Sequence, residues 1–114
     1  MQAFCTAFPV LPGKTEAGND FAKALMGPRR KEFDDALKRE GITKESWFLQ
    51  KTPQGDFVLV YFEAANVEKS FEILAKSQDP FLRWFKDQVR SITGVSLDQP
   101  STEPAPEQIL SVGY

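Results

Sequence analysis

Histidine is missing from this 114-residue chain altogether, and cysteine occurs once, at Cys5. The first absence removes the Ser-His-Asp triad, His-ligated zinc and His-ligated haem. The second leaves no internal disulfide and no cysteine-pair metal site. We therefore expect neither a metal nor a cofactor. An excess of one charge is also lacking, since 14 Lys+Arg stand against 16 Asp+Glu for a formal net charge of −2. Nothing is available to neutralise nucleic-acid phosphates or coat an anionic membrane, so no nucleic-acid or membrane partner is expected. No apolar run approaches the ~20 residues of a membrane span. Met1–Cys5 shows neither the basic start nor the long apolar stretch of a secretory signal. The expected location is cytoplasmic, which suits a single reduced thiol.

What is present is an ordinary globular composition, 41% hydrophobic and 26% charged, at a length that suits one domain with one core. Residues 2–11 alternate with period two: Phe4, Thr6, Phe8 and Val10 share one face, and Ala3, Cys5 and Ala7 share the other. That pattern reads as a strand, ended by Pro12-Gly13. Thr15 is positioned to cap a helix in which Ala17, Phe21, Ala24 and Leu25 recur at helical spacing. Gly27-Pro28 interrupts it, and Phe33, Ala36 and Leu37 resume the stripe before Gly41, so the segment is one kinked helix or two helices joined at Pro28. Residues 42–52 and 57–63 read as two strands of a hairpin around the Pro53-Gln54-Gly55-Asp56 turn. Asn66 caps a helix over residues 67–76, and Asp79-Pro80 opens another whose stripe is Phe81, Trp84, Phe85, Val89 and Ile92, closed by Gly94. The chain divides into an α+β domain over residues 1–96 and a Pro-rich tail over 97–114. In the tail, Pro100 to Pro106 form a linker and residues 108–114 form a candidate closing strand.

The order β-α-β-β-α-α, with that closing strand, predicts a ferredoxin-like βαββαβ fold with an extra helix and an antiparallel sheet. Its helices cover one sheet face. Yet residues 57–62 are apolar on both sides, with Val58, Val60 and Phe62 on one and Phe57, Leu59 and Tyr61 on the other, so the second face also needs cover. A second copy of the chain is the simplest cover, and a homodimer is expected. The run from Val10-Leu11-Pro12-Gly13-Lys14 through Trp47-Phe48-Leu49-Gln50, the Pro-Gln-Gly-Asp turn and the 57–63 strand to Val67-Glu68-Lys69-Ser70-Phe71 resembles the dimeric α+β barrel superfamily. That group includes the antibiotic-biosynthesis monooxygenases and the stress-responsive barrel proteins, and the chain is most similar to small bacterial members with no assigned activity. The resemblance covers about residues 2–92 in element order and turn placement. It implies two protomers pairing sheet to sheet into a barrel, with a cavity in each protomer. Relatives that act on haem or aromatic substrates use His, Asn and Trp in that cavity. This chain has no His, and only Trp47 is comparable in type.

Candidate site residues follow from faces. Tyr61 and Glu63 lie two apart on a strand and so share a face. In an apolar cavity such a Glu has a raised pKa and can act as a general base or bind a polar group, whereas at a strand end it is merely solvated. Trp47 offers a flat wall suited to an aromatic ligand, and it shares its face with Glu45 and Lys51, the mark of a rim. Trp84 sits within a regular helical stripe and reads as core. Cys5 lies between small residues with no His to activate it. Arg29 and Arg30, with Lys31, crowd the start of a helix and form an anion site unless Glu32, Asp34 and Asp35 neutralise them.

Two functions are therefore expected as alternatives. One is a small-molecule-binding dimeric barrel, in its finer form a cofactor-independent monooxygenase-like enzyme acting on an aromatic or quinone-like substrate through Trp47, Tyr61 and Glu63. The other is a non-catalytic homodimeric structural or interaction protein, whose two-sided sheet serves assembly.

Overall fold

The structure is a computed structural model and describes residues 1–99 and 104–114. Part of the expected linker, residues 100–103, lies outside the described residues. The element order is β1 (Gln2–Pro9), α1 (Thr15–Met26), α2 (Arg30–Glu40), β2 (Ile42–Thr52), β3 (Gly55–Ala64), α3 (Val67–Lys76) and α4 (Pro80–Thr93). No helix among the described residues is long and apolar enough to cross a membrane.

The strands form an antiparallel sheet in the order β1-β3-β2. Central β3 pairs Tyr61 with Cys5 on one side and with Ser46 on the other, and Val60 with Thr6 and Trp47. A register shift between Ile42 and Lys44 returns Lys44 opposite Glu63, which keeps Ile42 and Trp47 on the same buried side despite their odd spacing. The α+β class stands, with four helices on one layer and the sheet as the other. A complete ferredoxin-like order needs a fourth strand, and none occurs among the described residues. Residues 108–114, expected as that strand, are exposed and carry no regular structure.

The chain between residues 15 and 40 forms two helices rather than one bent helix. The missing N–H and fixed φ of Pro28 leave it in the short connection between them. Gly41 and Gly94 end α2 and α4 at φ 75° and 76°, left-handed values that a side chain would strain. The caps of α3 and α4 are as expected: Asn66 Oδ1 accepts from the Lys69 amide at 3.0 Å, and Asp79 Oδ2 accepts from the Leu82 amide at 3.3 Å. Thr15 does not cap α1. It is the first helical residue, Lys14 occupies the cap position without a side-chain bond, and the Thr15 hydroxyl donates instead to Asp56 Oδ2 at 2.6 Å, tying the helix start to the hairpin.

Every expected helical stripe faces the sheet. The main core cluster includes Phe21, Leu25, Ala36, Leu74, Phe81, Leu82, Phe85, Val89 and Ile92, with Trp47 packed against it. A second cluster joins Ile42, Phe62 and Ala64 to Phe4, Leu37 and Phe71. The opposite face of the sheet carries Cys5, Ala7, Phe57, Leu59, Tyr61 and Phe48. No helix covers it, and Phe48 is 62% exposed.

Candidate functional site

Between the sheet and the helices lies a cavity of about 100 Å³. Its walls are aromatic and aliphatic, among them Phe21, Phe33, Trp47, Phe71 and Phe85. The Phe33 and Phe85 rings stack at 5.9 Å, and Trp47 meets them at 6.4 and 6.2 Å. Two carboxyl groups interrupt this lining, from Glu40 and Glu45.

The helical stripe places Glu40. Phe33, Ala36, Leu37 and Glu40 stand at i, i+3, i+4 and i+7, so the last residue of α2 points to the same side as the apolar ones. Glu40 is 6% exposed. The Ser70 hydroxyl donates to its backbone carbonyl at 2.6 Å, while no described side chain donates to its carboxyl group. Burial, then the nearby Glu45, push the Glu40 carboxyl up to about 8, against weaker opposing pulls from Arg39 and Lys86. Glu45 sits two residues before Trp47 on β2 and hence on its face. It accepts the Trp47 indole N–H at 2.8 Å. Burial raises its carboxyl to about 7 despite that bond, which favours the charged form. Both groups therefore bind or release a proton near neutral pH, the range that suits acid–base work or a protonation-linked ligand.

The chain's own cations are committed elsewhere. Lys86 is buried, and its Nζ donates to the carbonyls of Leu74 at 2.9 Å, Ser77 at 3.0 Å and Ala75 at 3.3 Å. These carbonyls lie at the end of α3, where the helix itself supplies no donors. The same Nζ pairs with Asp98 at 2.9 Å, and that contact, ahead of Arg83, holds the Asp98 carboxyl below its usual range. Arg39 reaches Asp79 at 3.5 Å.

The structure does not bring the expected site residues together. Trp47 lines the cavity, whereas Tyr61 and Glu63 lie on the open face of the sheet. There the Tyr61 hydroxyl donates to Glu63 Oε2 at 2.5 Å, which, with lesser contributions, raises the phenol's pKa. Arg29 and Arg30 are neutralised within their own helix region. Arg29 pairs with Glu32 at 2.9 Å and Arg30 with Asp34 at 2.9 Å. The Arg29 guanidinium also lies 4.1 Å from the Trp84 ring centroid. Cys5 is exposed on the open face. Among the described residues, no group of three His, Cys, Asp or Glu side chains could hold a metal ion.

Glu40 and Lys86 are absent from the residues expected from sequence, and Glu45 enters there only as a rim neighbour of Trp47. A signal existed for each: Glu40 continues the α2 stripe, Glu45 shares the strand face of Trp47, and Lys86 falls between Leu82 and Val89 on the buried stripe of α4.

A family of unknown function, DUF6176, matches residues 1–96. The chain belongs to that family. No curated protein and no solved structure matches it.

Proposed function

We propose that the protein binds a small molecule in the cavity between sheet and helices, and that it does so as a homodimer paired through the open sheet face. The observation that carries the first half is the Glu40–Glu45 pair inside a mostly apolar cavity, whose other polar side chains, Ser70 and Thr93, donate to backbone carbonyls. Stability gives no reason for it, because burying a carboxyl group costs free energy that an apolar side chain of similar size would not. Titratable groups kept in a cavity at such a cost mark binding and catalytic sites.

The volume narrows the ligand. A cavity of about 100 Å³ is smaller than the ~150 Å³ known to admit benzene, and well below the ~300 Å³ at which drug-sized pockets begin. A short-chain molecule suits the cavity. An aromatic or quinone-like substrate, as in the monooxygenase-like reading, would require the helices to part from the sheet. For that finer reading and for the dimeric α+β barrel, the support is element order, the β1-β3-β2 sheet and its uncovered face.

The homodimer follows from that face. Phe57, Leu59 and Tyr61 project from it beside exposed Phe48, and a second copy would cover them. The tail adds exposed Ile109, Leu110, Val112 and Tyr114. A non-catalytic homodimer without a ligand accounts for the face but leaves the carboxyl pair unexplained.

The test is NMR chemical-shift mapping with a panel of short-chain alcohols, acids, ketones and amines. Perturbation centred on Glu40, Glu45 and Trp47 is expected. A panel that moves none of these signals would leave the assembly reading as the better one.

A further inference from the structure

The cavity walls lack one thing that the Glu40–Glu45 pair requires, which is positive charge. Two acidic side chains share the cavity, and no described side chain donates a hydrogen bond to the Glu40 carboxyl group. The cations nearest in effect, Lys86 and Arg39, are held by the α3 carbonyls with Asp98 and by Asp79 respectively. Glu45 receives one neutral donor, the Trp47 N–H. The rest of the wall includes the stacked Phe33 and Phe85 rings with Trp47 across from them. Such ring faces attract a cation within about 6 Å of their centroids. A hard metal ion is a poor fit, since two carboxylates among apolar walls supply too few oxygen ligands.

We infer that the cavity takes a small organic cation, a short-chain primary amine in its ammonium form, with Glu40 and Glu45 as its counter-charges and the Phe33–Trp47–Phe85 wall against its alkyl body. This rests on the cavity being a binding site, as proposed above. The ammonium carries three N–H donors, and the two carboxylates supply acceptors for them. The alkyl part meets aliphatic and aromatic walls. Without a ligand at pH 7 the Glu40 carboxyl, which titrates at about 8, mostly holds its proton, and Glu45, at about 7, is about half protonated. A bound ammonium favours their charged forms, so binding expels protons into solution.

The experiment is isothermal titration of the full chain with ethylammonium chloride and, separately, with ethanol, a neutral molecule of nearly the same shape that also fits a cavity of about 100 Å³. Each titration is run at pH 7 in two buffers of different ionisation enthalpy, which reads proton release directly. The ammonium is expected to bind more tightly than the alcohol and to release protons. Its affinity is expected to weaken as pH falls below 7, by about tenfold per unit for each proton displaced. Glu40→Gln and Glu45→Gln, each verified as folded by circular dichroism, are each expected to weaken it by roughly tenfold or more. Ethanol binding as tightly as the ammonium, without proton release, would overturn the cation and leave the cavity site standing. Binding of neither at millimolar concentration would overturn both.

Discussion

The indole N–H of Trp47 and the carboxyl group of Glu45 meet at 2.8 Å across two residues of one strand. This contact joins the aromatic wall of the cavity to its acidic pair. It also opposes burial, because a donor to the carboxylate favours the charged form. Trp47→Phe keeps the ring and removes the donor. The Glu45 carboxyl should then titrate above its value of about 7, as followed by carbon-13 NMR.

Stability should depend on pH in the direction opposite to that of an ion-paired carboxylate. Glu40 and Glu45 titrate at about 8 and about 7 when folded, against an ordinary value near 4.5 when unfolded. Between those limits the folded chain holds protons that the unfolded chain has released, so raising pH favours unfolding. The stabilisation is complete below pH 4.5 and is lost as pH rises through 7 and 8. Glu40→Gln should flatten this dependence and raise Tm at pH 8.5. Thermal unfolding monitored by circular dichroism from pH 5 to 9 checks both points.

Lys86 is a structural cation. Its ammonium satisfies the end of α3 and is 2% exposed. Lys86→Met fits the same space but leaves those carbonyls without a donor, and should cost about 2–4 kcal/mol in urea unfolding. Asp98→Asn removes only a partly exposed partner and should cost at most about 1 kcal/mol.

The open face should govern assembly. Leu59 lies at its centre, between Ala7 and Phe48 in the register. A charge there opposes its own symmetry mate or neighbours across a two-fold interface. Sedimentation equilibrium of the wild type should give a dimer at micromolar concentration, and Leu59→Asp should give a folded monomer. A monomeric wild type would remove the homodimer.

Local patterning made much of this architecture legible in the sequence. Period-two alternation located β1, the Pro-Gln-Gly-Asp turn located the hairpin of β2 and β3, the helical stripes located the helical segments, and Asn66 and Asp79-Pro80 marked the starts of α3 and α4 by capping chemistry. The hydroxyl of Thr15 was misplaced because its partner, Asp56, is 41 residues away. Tyr61 and Glu63 were rightly put on one face, but two faces of β3 are apolar, and only the packed helices decide which of them encloses a cavity. Glu40 and Lys86 are not evident from spacing because a charged residue on an apolar stripe reads as an interruption, and Glu45 beside Lys51 reads as an exposed rim. Their burial depends on a tertiary setting that spacing does not reveal.

The cavity holds two carboxyl groups that titrate near neutral pH. The most direct measurement is a carbon-13 NMR titration of the glutamate carboxyl groups from pH 3 to 10, assigned by Glu40→Gln and Glu45→Gln. Two titrations far above the rest are expected, near 8 for Glu40 and near 7 for Glu45. Ordinary titration of both, near 4.5, would mean that water reaches these groups freely and that the cavity holds no carboxyl pair poised near neutral pH.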